Sequence, residues 1–183
     1  MAIFADKNIF LRGDYMKYTS AQAAKLLRKL NDEYYSLKEL ERNSKEFVAA
    51  LCEDVESVRP EYDFEKTQKK LDELESKIRS LKHAINVFNT VTKVDGFDMT
   101  IDQMLVFIPQ LSSRKEKLSE MKSCLPKTRE PSNARSGNII DYRFANYDIK
   151  AAEEAYREAE DILSHAQTAL DVVNNTITFD IDI

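Results

Sequence analysis

Apolar residues recur along this chain at steps of three and four, with charged residues filling the positions between them. That is the periodicity of amphipathic helices. The first run is Leu26, Leu30, Tyr34, Leu37, Leu40, Phe47, Leu51 and Val55, interrupted only by the polar Ser44. It predicts one long helix, capped at Thr19 or Ser20 and closed at Arg59–Pro60, because a residue before proline disfavours the α region. The second run, Phe64, Thr67, Leu71, Leu74, Ile78, Leu81, Ile85 and Phe88, follows Asp63, a good N-cap. Its spacings alternate between three and four, a heptad repeat. So narrow a stripe suits a seam against one or two partner helices rather than burial in a broad core.

Residues 90–99 read as a loop around Asp95–Gly96. Thr100 and Gln103 form a capping box that opens a third helix through Ile108, Leu111, Leu118 and Met121 to about Cys124. Pro109 lies inside it and predicts a kink or break. Residues 126–137 hold two of the four prolines and read as a flexible, mildly basic loop. Ile140, Tyr142 and Phe144 alternate with polar residues, as a short strand would. A fourth helix is expected from Asp148 to about Asn174, with a small-residue stripe of Ala152, Ala155, Ala159, Ile162, Ala166, Ala169 or Leu170, and Val173. The tail places Ile177, Phe179, Ile181 and Ile183 on one face. That strand needs a partner, either 140–145 or the same tail of another subunit.

The expected fold is therefore mainly α: a long antiparallel helical hairpin in a coiled-coil bundle, with a small strand pair near the C-terminus. The boundaries are 1–18 as an N-terminal extension, 19–125 as hairpin plus third helix, 126–137 as the loop, and 138–183 as strand, helix and tail strand. Together they form a single domain, in keeping with 183 residues. Helices of about 30–36 residues would be about 45–55 Å long, which favours pairing with another copy.

Composition sharpens this reading. Charged residues are 32% of the chain, tryptophan is absent, and there are only 3 glycines and 4 prolines, too little punctuation for an all-β fold. The net charge is −5, which argues against nucleic acid as the main partner. The charge is uneven. Residues 112–137 carry seven basic side chains against three acidic ones, and 150–183 carry eight acidic against two basic. Lys122, Lys127, Arg129 and Arg135 make a candidate basic patch. Glu153, Glu154, Glu158, Asp180 and Asp182 make a candidate acidic contact face. Aromatic residues do not interleave with the basic patch in sequence, so base stacking is not suggested. No run approaches a membrane helix or a signal peptide. The expected setting is cytoplasmic, without membrane contact.

No catalytic constellation stands out. His83 and His165 lack ligands at metal spacing, and Cys52 and Cys124 are isolated. Gly13, Gly96 and Gly137 are too far apart for a phosphate-cradling loop. The many carboxylate pairs read as solvated helix faces. Neither catalysis, cofactor nor metal is expected.

Ile85, Asn86 and Asn89 at a helix end, then Gly96, then Thr100-Ile-Asp102 opening a helix that bears Arg114 and Leu118, resemble the septicolysin-like family of small bacterial helical proteins. The ending around Asn174 to Thr178 is also similar. The resemblance covers about half of the chain and departs from the family pattern at Pro109 and in the N-terminal extension. It implies an all-helical, oligomeric fold and adds no site.

The function expected from these features is a non-catalytic scaffold or protein-binding module. Its partners would be itself, through the seam Leu71, Leu74, Ile78, Leu81, Ile85 and Phe88, and an unknown protein. The alternative is a small inhibitor of the phage or mobile-element type (anti-CRISPR-like), occluding a host nucleic-acid enzyme with its acidic helical surface.

Overall fold

A computed structural model describes residues 16–130 and 141–182. The elements in order are β1 (Met16–Thr19), α1 (Ser20–Ser44), α2 (Val55–Val58), α3 (Phe64–Val91), β2 (Lys93–Val94), β3 (Met99–Thr100), α4 (Ile101–Lys122), β4 (Lys127–Arg129), β5 (Tyr142–Phe144), α5 (Ile149–Thr176) and β6 (Thr178–Ile181). The protein is mainly α, with a helix-packed core and small antiparallel strand pairs, as the hydrophobic pattern predicts. The expectations that fall on residues 1–15, Arg135, Ile140 and Ile183 lie outside the described residues. The chain divides into two compact units, Met1–Phe88 with Asn174–Ile183, and Asn89–Val173.

In the first unit, Thr19 caps α1 through a reciprocal box with Gln22, satisfying backbone donors the helix start leaves open. Asp63 does the same for α3 by accepting from the Lys66 amide at 3.0 Å. The two helices run antiparallel. Tyr34 donates to Glu75 at 2.9 Å, and Gln68 donates to Glu41 at 2.5 Å, so each step forward on α1 is a step back on α3. Between them lies a cluster of Ala23, Leu30, Leu74, Leu81 and Ile181, flanked by Leu26, Leu37, Ile78 and Ile85.

The first helix is shorter than its stripe suggests. It ends at Ser44 instead of running to Arg59, and Pro60 closes only the four-residue α2. The register explains this. With Glu41 opposite Gln68 and α3 starting at Phe64, residues beyond about 45 have no facing turn. A helix there would bury nothing, and most helical stability in proteins comes from such burial.

The tail strand is also partnered differently from either expectation. β6 pairs antiparallel with β1, in the register Met16↔Ile181 and Tyr18↔Phe179. Residues 16–18 therefore belong to the folded unit and not to an extension. Their alternation brings Tyr18 and Phe179 onto the core cluster, which is what holds both strands. Phe179 stacks on Phe88 with ring centroids 4.3 Å apart. The tail strand starts at Thr178, a residue or two later than its alternation suggests, since α5 continues to Thr176.

In the second unit, β2 and β3 form a two-residue hairpin that turns at Gly96, where φ is +81°, a conformation that favours glycine. Thr100 and Gln103 form the expected capping box. Of the kink or break expected at Pro109, the break does not occur: α4 is continuous from Ile101 to Lys122. Met104 and Leu111 are buried on either side of the proline, seven residues apart, and anchor both halves on one face. α5 buries Ala152, Ala159, Leu163, Ala166, Leu170 and Val173, again at heptad-like spacing. It lies antiparallel beside α4: Lys115 pairs with Glu160 at 2.8 Å, and Lys122 lies over Tyr156. Part of the expected flexible loop is ordered. Residues 127–129 form β4 and pair with β5, because the strand at 142–144 supplies the missing ladder.

Leu81 is fully buried and Leu51 fully exposed. Leu81→Ala should cost about 2–5 kcal/mol by leaving a cavity, and Leu51→Ala about 0.5 kcal/mol or less, both read from urea unfolding curves.

Candidate interaction surfaces

The heptad seam faces its own chain. Leu71, Leu74, Leu81 and Phe88 are buried. Leu74, Ile78, Leu81 and Ile85 pack with α1 and β6, and Phe88 packs against Phe179. These residues build the first unit's core.

What the short α1 leaves behind is a connector, residues 45–63, some of whose apolar side chains are uncovered while Phe47, Val58 and Tyr62 are half-buried. Val48 is 93% exposed and Leu51 completely so, and Val55 is also exposed. Phe47, the next member of the same stripe, is half-buried under the Arg59 guanidinium, 5.3 Å from the ring centre. Surface apolar residues scattered singly need no explanation, but here three large ones are exposed within a single short connector. Its rim is acidic. Glu46, Glu53, Asp54, Glu56, Glu61 and Asp63 stand against Lys45 and Arg59, a balance of −4. Some of these acids have local work. Asp54 accepts from the Glu56 amide at 3.3 Å to cap α2, and Glu56 pairs with Arg59 at 2.8 Å, which holds the Glu56 carboxyl below its usual range.

The second surface is the β4–β5 ribbon. Its register sets Lys127 opposite Phe144 and Arg129 opposite Tyr142. Directly opposite residues share a face, so both cations and both rings lie together. Thr128 and Arg143 lie on the other face, where Arg143 pairs with Glu130. Lys127 Nζ sits 3.9 Å from the Tyr142 ring centre and 5.4 Å from that of Phe144. Tyr142 and Phe144 are exposed. Aromatics thus interleave with the basic residues in space, although they do not in sequence. The missed signal was the matching alternation in Lys127-Thr-Arg129 and Tyr142-Arg-Phe144. A shallow groove of about 670 Å³ adjoins the ribbon, with Cys124, Arg129, Phe144 and Tyr147 among its lining residues.

The remaining members of the charged sets do not assemble into one site. Lys122 is taken up by the Tyr156 ring at 3.3 Å. Glu153 pairs with Arg157 at 2.6 Å. Glu154, Glu158 and Asp161 are exposed on α5, at a spacing that puts them on one face. Asp180 and Asp182 belong to the other compact unit and are also exposed. His83, His165, Cys52 and Cys124 are all exposed. Among the described residues no group of three or more His, Cys, Asp or Glu side chains could hold a metal ion, and no helix is long and apolar enough to cross a membrane.

The arrangement defines a class: a mainly helical protein with a helix-packed core and small antiparallel strand pairs. Neither a family model nor a curated protein matches the chain. Among solved structures it is similar to a functionally unknown conserved protein from Corynebacterium diphtheriae, at 17% identity and a TM-score of 0.58, over 90% of this chain and 99% of that one. That likeness concerns the fold alone.

The Lys115–Glu160 pair ties α4 to α5 and predicts a pH dependence. Hydrogen bonds from Lys115, then Tyr156, hold the Glu160 carboxyl below its ordinary value. A carboxyl depressed by folding contributes stability that is present above its unfolded pKa and is lost as pH falls through the folded one. Melting temperature should therefore drop as pH falls below about 4.3, and Glu160→Gln should reduce that drop while costing some stability at neutral pH.

Proposed function

We propose that this chain is a non-catalytic protein-binding module that self-associates, and that its contact surface is the exposed connector 45–63 rather than the heptad seam. The observation that carries the reading is the exposure of Val48, Leu51 and Val55 within one short connector. Desolvating such a group is the main driving force of protein association. The resemblance to the septicolysin-like family, whose members have no established biochemical role, is compatible with an oligomeric protein. The inhibitor reading draws instead on the row Glu154, Glu158 and Asp161. It predicts that reversing these three to lysine abolishes inhibition of the target enzyme without lowering the melting temperature.

Light scattering after size exclusion, in reducing buffer and at two concentrations, tests self-association. The wild type should exceed the 21.1 kDa monomer mass, more so at the higher concentration. Val48→Asp with Leu51→Asp should return it to monomer with an unchanged circular dichroism spectrum. Leu74→Asp should instead unfold the protein. A wild type that stays at monomer mass at both concentrations contradicts the proposal.

A further inference from the structure

We infer that the connector of one copy docks on the basic aromatic face of the β4–β5 ribbon of a second copy, joining copies head to tail. This rests on the self-association proposed above and specifies its geometry. The two surfaces are complementary in both respects that matter at an interface, charge sign and apolar content. The connector offers Val48 and Leu51, both exposed, in a segment of net charge −4. The ribbon face offers Tyr142 and Phe144, also exposed, between Lys127 and Arg129.

The Glu53 carboxylate accepts from the Ala50 amide at 3.1 Å and Asp54 caps α2, but neither is neutralised by a cation. Among the described residues no carboxylate forms an ion pair with Lys127 or Arg129, and no cation forms one with Glu46, Glu53 or Asp54. The ribbon's acidic neighbours, Glu130 and Asp141, lie outside the strand positions of this face. Aromatic residues and arginine are the types enriched in interface cores.

Charge also decides against the symmetric alternatives. Connector against connector would bring two acidic rims together, and ribbon against ribbon would oppose Lys127 and Arg129 to their own copies. Like-charge juxtaposition suppresses such pairings. A contact between two different patches is heterologous, and it generates a closed ring or an open chain rather than a two-fold dimer.

A charge-swap experiment on the full chain tests this, in reducing buffer so that the exposed Cys52 and Cys124 do not cross-link copies. One variant carries Glu46→Lys and Glu53→Lys, the other Lys127→Glu and Arg129→Glu. Each should keep the wild-type circular dichroism spectrum and associate at least tenfold more weakly than wild type by light scattering. Mixed at equal concentration they should assemble again, because the lysines of one then meet the glutamates of the other. Tyr142→Ala should weaken wild-type assembly without altering charge, and added salt should weaken it as well. If the ribbon variant assembles as well as wild type while Val48→Asp with Leu51→Asp does not, the connector is a contact surface but its occupant is not the ribbon. The inference then falls and the proposed function stands. If the wild type is a monomer, both fall. If a labelled single-stranded oligonucleotide binds the wild type and is released by Tyr142→Ala or the ribbon variant, while light scattering shows no connector–ribbon assembly, the ribbon face serves nucleic acid and the inference is overturned.

Discussion

The antiparallel register of α1 on α3 is the constraint from which the rest of the first unit follows. Tyr34–Glu75 and Glu41–Gln68 fix that register, and Ala23, Leu30, Leu74 and Leu81 supply its burial. Hydrogen bonds alone would not set it, since exposed polar contacts contribute little. Once the register is set, the start of α3 at Phe64 dictates where α1 stops being useful. Apart from Tyr62, which donates to Glu41 of α1 at 2.8 Å, the stretch between Ser44 and Asp63 then has no facing turn of α3. The exposed apolar connector is therefore a consequence of how the core is built, and its stripe is available to something else.

The second unit shows the same logic with smaller residues. Alanines at 152, 159 and 166 are buried on α5, and α4 buries Ile101, Met104, Leu111 and Leu118. A bulky cation pair completes the contact between the helices. Lys115 and Lys122 both lie near the Tyr156 ring, and Lys115 also reaches Glu160. These basic residues, which in sequence look like part of a binding patch, are engaged within their own unit. What remains available is the ribbon, where short-range alternation places two rings and two cations on one exposed face.

Periodicity made the helices legible. The seam of α3, the box at Thr100 and the alanine stripe of α5 all follow from spacing and capping chemistry. What spacing could not reveal was the partner of each stripe. Phe47, Leu51 and Val55 continue the α1 pattern beyond Ser44, yet α3 offers them no facing turn, because the end of α1 is set by a residue twenty positions further on. The same limit hid the strand pairs. Met16–Thr19 and Lys127–Arg129 are too short to signal a strand alone, and each forms only because a distant segment offers the complementary edge. The basic aromatic face was hidden for that reason: its cations and rings are more than ten residues apart in sequence.

The connector, left uncovered in the isolated chain, is proposed as the contact surface. Hydrogen exchange, followed by mass spectrometry at dilute and at high protein concentration, addresses it segment by segment. Amides of residues 45–58 should exchange rapidly in the dilute sample and be slowed at high concentration, while those of α1 and α3 stay equally protected in both. Identical exchange of the connector at the two concentrations, under conditions where light scattering detects assembly, would contradict the account.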